Sequence, residues 1–398
     1  MTRENVWNKA YKRIFELYGE NPDLKIVNRF LSEKAALSHF GVAEYFEELA
    51  GICKESLEKY NEKLVVKASV ASCLTAYLLG ASDIDPIAND LPNESYIPYA
   101  QLLRIKDPVP ENYADLFDSL LNIHFQKSLL GAAQAVHLLK QATSVEEIDL
   151  SDREVKYHLL GGDFSCMNPK LAEFLKQAYT IVQPSSYHEL LKLIGMAHGT
   201  QVWKNNAEDL LMNGKCRLAD IPATRDEVFM MIRDAMREHG EYDTGFAYDV
   251  ANKARKGYYF EHGMDGYTID TLKALGFDDW FASYLLSVRY MSTKALSVMD
   301  LHYIILLTWY QTYYPKQYAS VIGMRIFGKE DKTMAEQIIR DFYGKIIAKI
   351  ETKPNGDKTI RDFYGRILGK YDAATNTTRD FYGRVVAKGE CLTMLIEK

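Results

Sequence analysis

Apolar positions recur at helical spacing through most of the chain. Residues 3–60 read as amphipathic helices: NVWNKAYKRIFELYG keeps its apolar side chains on one face and stops at Gly19, with Pro22 just beyond. Leu64–Gly80 is apolar enough to run as a strand and then a helix. Residues 87–118 are punctuated by Pro92, Pro98, Pro108 and Pro110, which predicts loop. From Ala114 to Tyr318 the helical period dominates, most clearly in LLGAAQAVHLLKQ, NPKLAEFLKQAY, SYHELLKLIGM, RDEVFMMIRDAM and the Leu301–Tyr313 run.

Near Thr333 the period changes. IIRDFYGKIIAKI recurs as TIRDFYGRILGKY and TTRDFYGRVVAKG, with Arg340, Arg361 and Arg379 marking the same point of each unit. Every copy has Asp-Phe-Tyr-Gly, a basic residue, then aliphatic or β-branched residues. Pro354-Asn355-Gly356-Asp357 and the run from Asp372 to Thr378 supply turn formers between copies. Asn-Gly between alternating runs is a strong hairpin signal. One such unit cannot bury its apolar face alone, so three strand–Gly turn–strand copies should stack as a small antiparallel sheet. The fold class expected is mainly α (α+β): a helical body followed by an antiparallel β-repeat module, divided as 1–113, 114–330 and 334–398.

Composition narrows the function classes. At 398 residues, 47% hydrophobic and 26% charged, the chain supports two or three domains with a sizeable core. No apolar run approaches the ~20 residues that span a bilayer. The opening MTRENVWNKAYKR has no signal-peptide core. A cytoplasmic protein without a membrane partner is expected. Cys53, Cys73, Cys166, Cys216 and Cys391 are scattered, with no CxxC and no His at ligand spacing, which favours reduced thiols over disulfides or zinc. The net charge is −6, so a grip on duplex backbone would need local clustering of cations against the overall balance. GxxxxGK[ST], GxSxG and HExxH are all missing, and no metal or cofactor is assigned. His137, His188 and His198 read as packed or surface histidines. Thr308–Tyr314, TWYQTYY, reads as interhelix packing, with base stacking as the alternative.

Ser185–Leu211, SSYHELLKLIGMAHGTQVWKNNAEDLL, resembles one family closely. It is similar to the fingers of the PolC-type alpha subunit of bacterial DNA polymerase III, where Ser-His-Gly-Thr-Asp-Val-Trp follows an amphipathic helix. His198, Gly199, Thr200, Val202, Trp203, Asn206 and Ala207 match. Leu64–Pro86 resembles the palm segment that carries Arg-Gly-Ser-Val-Gly-Ser in the family. Here Lys67 stands for the arginine, Ser69, Val70 and Ser72 match, and Ala68 and Ala71 replace the glycines. A Gly/Ser turn entering a helix offers unpaired amides to a triphosphate. The two added Cβ atoms restrict φ and hinder that approach, which favours a packed strand–helix corner over a phosphate cradle. Towards the C-terminus, KARKGYY, WFASYLLSVRYMSTKALSV and LTWYQTYYPKQYAS match at Arg255, Lys256, Gly257, Tyr290, Met291, Lys294, Ala295 and Pro315. In all, the resemblance runs over residues 3–90 and 114–325. It implies nucleotide- or DNA-binding roles for Lys67, Ser69, Ser72, His198, Thr200, Arg225, Lys253, Arg255, Lys256 and Lys294.

The family's metal site does not follow. Nucleotidyl transfer there uses two divalent ions held by three aspartates. Two of these sit on a Pro-Asp-x-Asp-x-x-Phe strand, and no such motif occurs between Pro86 and Leu120. The third falls on His124 of LLNIHF, and imidazole is a poor ligand for magnesium. The family's palm zinc insertion and its exonuclease, phosphoesterase and oligonucleotide-binding modules are missing as well. The expectation is a truncated, catalytically inactive PolC-like protein of a phage or mobile element that weakly binds DNA, nucleotide or a replication partner. One alternative is an active polymerase fragment or subunit whose carboxylates come from elsewhere. A second is a structural or interaction protein that keeps only the framework.

Overall fold

The computed structural model describes residues 5–92, 112–116, 121, 123–328, 335–340, 346–352, 356–362 and 366–396. The chain forms two compact units, Met1–Tyr318 and Ala319–Lys398.

Several helices of the first unit begin where the sequence supplies a side-chain acceptor. Val6–Tyr18 opens on Asn5, whose carboxamide accepts from the Trp7 amide, and ends at Gly19 with φ of 84°. Asp23 caps Leu24–Phe40, Asn168 caps Pro169–Ala178 and Thr293 caps Lys294–Tyr313. Thr224 and Glu227 form a reciprocal capping box at the start of Arg225–Glu238. Each cap satisfies an amide that the helix cannot, a contribution of about 1 kcal/mol. The strand expected at Leu64 shrinks to a single bridge, Val66 to Phe125. Two short helices follow, Ala68–Ala71 and Leu74–Leu78. Among the described residues no helix is long and apolar enough to cross a membrane.

Two apolar clusters meet on one helix. Leu37, Phe46, Leu49, Val65, Val70 and Phe125 pack with Ala295, Val298, Met299 and Tyr303. Leu159, Leu193, Trp203, Val228, Phe281 and Tyr284 pack with Leu301, Ile304 and Ile305. Lys294–Tyr313 therefore buries apolar side chains on opposite faces, as a helix that is hydrophobic all round must. Its aromatic end is packed: Trp309 lies 5.0 Å from Tyr313 and 5.6 Å from Tyr314 between ring centroids, and Tyr310 is buried.

The second unit is a six-stranded antiparallel meander. Its strands are β1 (Ala335–Arg340), β2 (Ile346–Thr352), β3 (Lys358–Asp362), β4 (Ile367–Asp372), β5 (Thr377–Asp380) and β6 (Val385–Lys388). Each sequence repeat spans one hairpin. In the third copy the Asp380 amide donates to the Arg384 carbonyl at 3.0 Å, and Asp380 Oδ1 accepts from the Arg384 amide at 2.9 Å. Asp362 and Arg366 make the same pair of bonds, at 2.9 Å each. Arg366 and Arg384 also close an ion pair onto Asp362 and Asp380. The aspartate thus fastens the turn, which is why it recurs four residues before a basic one. Residues 341–345, 353–355 and 363–365 lie outside the described residues. Leu392 covers one sheet face, buried with Ala348, Ile350 and Ile360. A mainly α body with a C-terminal antiparallel β module is the fold the pattern predicted.

Candidate functional site

The His198-Gly199-Thr200 run leaves the C-terminus of Tyr187–Ala197, a helix capped at its start by Ser186. His198 Nε2 meets Asp300 Oδ2 at 2.5 Å. Gly199 is required by close approach: a Cβ there would lie 2.3 Å from Val202 Cγ2 and 3.1 Å from the Tyr290 carbonyl. Thr200 forms a one-residue bridge with Tyr290, its amide donating to the Tyr290 carbonyl at 2.8 Å. Val202 and Trp203 are buried, with Trp203 edge-on to Phe174 at 5.7 Å. Asn206 Nδ2 donates to the carbonyls of Gln201 at 2.9 Å and Tyr284 at 3.1 Å. Most of the fingers-like motif therefore builds a turn.

Opposite that turn, the segment Arg289–Lys294 gathers several of the candidate residues by its backbone. Its Arg289 and Tyr290 amides donate to the Thr200 carbonyl at 3.1 and 3.2 Å. Met291 donates to the Arg255 carbonyl at 3.3 Å, and the Arg225 amide donates to the Ser292 carbonyl at 3.1 Å. The Lys294 amide donates to Asp226 Oδ2 at 2.6 Å. Gly257 sits at φ +69° with its Cα against this segment, where a Cβ would come within 2.4 Å of the Arg289 carbonyl. Thr200, Arg225, Arg255 and Lys294 are far apart in sequence and share this one support.

Arg255 is the electrostatic centre of the group. Its Nε is buried and has no hydrogen-bond partner among the described residues, and its Nη2 reaches Asn252 Oδ1 only at 3.4 Å. Burial holds its guanidinium below the usual arginine range, and the Arg225 cation pushes the same way; Tyr290, Tyr248 and Asp226 oppose them. Arg225 has its own counter-charge, Asp226 Oδ1, at 3.6 Å from Nε. Two guanidinium groups are thus held in each other's field beside the Asp226 carboxylate, an arrangement a bound anion would relieve.

The other candidates do not join them. Lys253 pairs with Asp249 at 2.7 Å and lies 5.6 Å over the Tyr258 ring; the bond to Asp249 raises its pKa. Lys256 is exposed at the C-terminal cap of Gly245–Arg255. The buried Lys294 side chain donates to the Asp90 carbonyl at 2.9 Å. Lys67, Ser69 and Ser72 belong to the other core. The Lys67 amide donates to the His124 carbonyl at 3.0 Å, and burial lowers its ammonium pKa. Ser72 Oγ donates to the Ser69 carbonyl at 2.8 Å, while Arg29 Nη2 donates to the Ser72 carbonyl at 2.7 Å. At the following helix start, the Leu74 and Thr75 amides both donate to the Glu33 carboxylate at 2.9 Å. An internal carboxylate holds the amides that a triphosphate would seek there.

The chain is similar to DNA polymerase III PolC-type of Halalkalibacterium halodurans, 28% identical over 153 residues that make up 38% of this chain and 10% of that protein. Against the enzyme of Caldanaerobacter subterraneus subsp. tengcongensis the identity is 28% over 155 residues, 38% of this chain and 10% of the relative. The Staphylococcus aureus (strain MW2) protein is 26% identical over 179 residues, 43% of this chain and 12% of the relative. A region of this chain is PolC-related. The chain spans only about a tenth of the length of these curated relatives. No protein-family model matches it.

No group of three or more His, Cys, Asp or Glu side chains among the described residues could hold a metal ion. His124 is fully buried, with Tyr45 Oη 3.1 Å from its Nδ1. The span between Pro86 and Leu120, where the family's two-aspartate strand would fall, lies largely on residues 93–111 and 117–120, outside the described residues. Sequence reasoning missed Asp226 and Glu33. Asp226 follows Arg225 directly and Glu33 lies one helical turn after Arg29, so both cation–carboxylate neighbours are local; the amides that Glu33 accepts from lie about forty residues on and have no local mark.

Proposed function

We propose that the helical body is a catalytically inactive PolC-like unit that holds a phosphate group of DNA or of a nucleotide at Arg225 and Arg255. The observation that carries this reading is the buried Arg255 Nε, without an acceptor among the described residues, beside a second guanidinium. A phosphate oxygen would supply the acceptor and neutralise the pair. Lys253 and Lys294 each have a protein carboxylate within reach, so they add little free positive charge. With a net charge of −6 on the chain, binding is weak and salt-sensitive. Inactivity follows from the sequence, which offers none of the three aspartates of the family at their places; His124 occupies one of them. The role would be to engage nucleic acid, nucleotide or a replication partner.

Fluorescence anisotropy with labelled duplex and single-stranded DNA, and competition by a deoxynucleoside triphosphate, test this. One phosphate held by both arginines gives a log–log salt slope of about −1 on duplex. Arg255→Gln and Arg225→Gln should each weaken binding and flatten that slope. Binding that ignores both substitutions, or no binding at all, removes the phosphate site and leaves the protein-interaction reading.

A further inference from the structure

The three DFYG repeats pair with one another in one fixed way. Between the first and second hairpins, Ala348 faces Asp362 and Lys349 faces Arg361. Between the second and third, Gly369 faces Asp380 and Lys370 faces Arg379. Ala348 and Gly369 hold the same repeat position, as do Lys349 and Lys370. The register is therefore a property of the repeat, read twice in one molecule. An acidic residue one or two places further on meets the arginine of the next copy: Glu351 lies 3.0 Å from Arg361 Nε.

The series stops with both edges open. Among the described residues β1 pairs only with β2, and β6 only with β5. In the inner copies the strand after the turn is covered by the next hairpin, and Ala348 and Gly369 are buried. In the last copy the equivalent Ala387 is only half-buried, and Val385 and Val386, whose counterparts Ile367 and Leu368 are half-buried in the second copy, are 53% and 44% exposed. Next to them, Phe381 and Tyr382 are 64% and 79% exposed. An edge strand normally guards itself with charge or proline, yet β6 reads Val-Val-Ala-Lys and has a single charge at its end.

We propose that β6 pairs with the free edge of β1 in a second copy of this chain, continuing the repeat from molecule to molecule. The occupant is a second copy because β1 is the first strand of the same repeat and needs the complementary neighbour. The repeat register would set Lys388 opposite Arg340 of the second copy, as Lys349 is set opposite Arg361. Such a contact is head-to-tail rather than two-fold, because the two edges differ.

Light scattering on the full-length chain during size exclusion, at rising protein concentration, tests the pairing. A mass above that of one chain, growing with concentration, is expected. Val386→Lys places a charge on the β6 edge at an exposed position, and Ile338→Lys places one on β1; each should lose the assembly while circular dichroism and melting stay as in the wild type. Mixing the two variants should restore a species of two chains, since one intact β1 and one intact β6 remain. A wild-type chain that stays monomeric throughout overturns the proposal. So does a folded Val386→Lys variant that assembles normally, and an Ile338→Lys variant that does so points to a β6–β6 contact instead. Should either variant lose its β-sheet signal, the test passes to Val385→Lys on β6 and Gln337→Lys on β1.

Discussion

Glu33 accepts both the amide and the hydroxyl proton of Thr75, at 2.9 and 3.0 Å. The same carboxylate is fully buried, meets Arg29 Nε at 2.6 Å and accepts from the Cys73 thiol at 2.9 Å. A negative charge buried at a helix start is tolerable only with this density of donors. Glu33→Leu leaves the Arg29 cation and two amides without their acceptor, and should cost about 3–5 kcal/mol of unfolding free energy. Glu33→Gln keeps an acceptor for the amides and should cost less. Urea denaturation of the two variants measures the difference. A Glu33→Leu protein as stable as the wild type would show that the carboxylate is not the organiser of this corner.

Gly257→Ala should damage the candidate site from a distance. The position has φ of +69°, and the added Cβ would meet the Arg289 carbonyl at 2.4 Å. Left-handed backbone alone costs a non-glycine residue about 1–2 kcal/mol, and here backbone must also move. The segment that moves is the one bonded to Thr200, Arg255 and Arg225. The expected outcome is a lower melting temperature together with weaker DNA or nucleotide binding. Unchanged binding at a temperature where the variant is folded would detach the arginines from the Arg289–Lys294 support.

Long periodic elements were legible in the sequence, and the arrangement of the site was not. The stop at Gly19 and the hairpins at Asp362 and Asp380 follow from local rules of capping and turn chemistry, so reading them required no partner. The strand at Leu64 failed because an apolar run does not say whether a second strand is available, and among the described residues only Phe125 bridges to it. The resemblance picked out Thr200, Arg225, Arg255 and Lys294, which the fold does bring onto one segment. It also picked out Lys253, which an aspartate one helical turn away holds, and Lys67, Ser69 and Ser72, whose neighbouring amides go to Glu33. Glu33 decides whether the Leu74 and Thr75 amides stay available; its pairing with Arg29 has helical spacing, but sequence spacing carries no trace of those remote amides.

Glu189 gives a pH test of the fingers-like helix start. Its carboxylate accepts from the Ser185 amide at 2.7 Å and the Ser185 hydroxyl at 2.9 Å, and these bonds hold its pKa below the usual glutamate range. A depressed folded pKa contributes stability that is present above the unfolded value of about 4.3 and fades as pH falls through the folded one. Wild type should therefore melt slightly higher than Glu189→Gln at neutral pH, with the gap closing in acid. A gap that is constant from neutral to acidic pH would mean that the charge of Glu189 has no part in the cap.

His124→Asp should restore nothing and should weaken the fold. The position is the one at which the resemblance expects a metal-binding aspartate, but the side chain there is fully buried against Tyr45 and Phe125. Two metal ions need several carboxylates to hold them, and one substitution supplies one. A carboxylate placed in this apolar corner must either stay ionised without water or take up a proton, and the cost of burial is about 2 kcal/mol or more in either case. Primer extension with magnesium or manganese should be absent for the wild type and for the variant, and the variant should melt lower. Template-dependent extension by the wild-type protein that survives repurification and follows the protein peak would overturn the inactive reading. Extension gained only by His124→Asp would show that the remaining carboxylates are already in place.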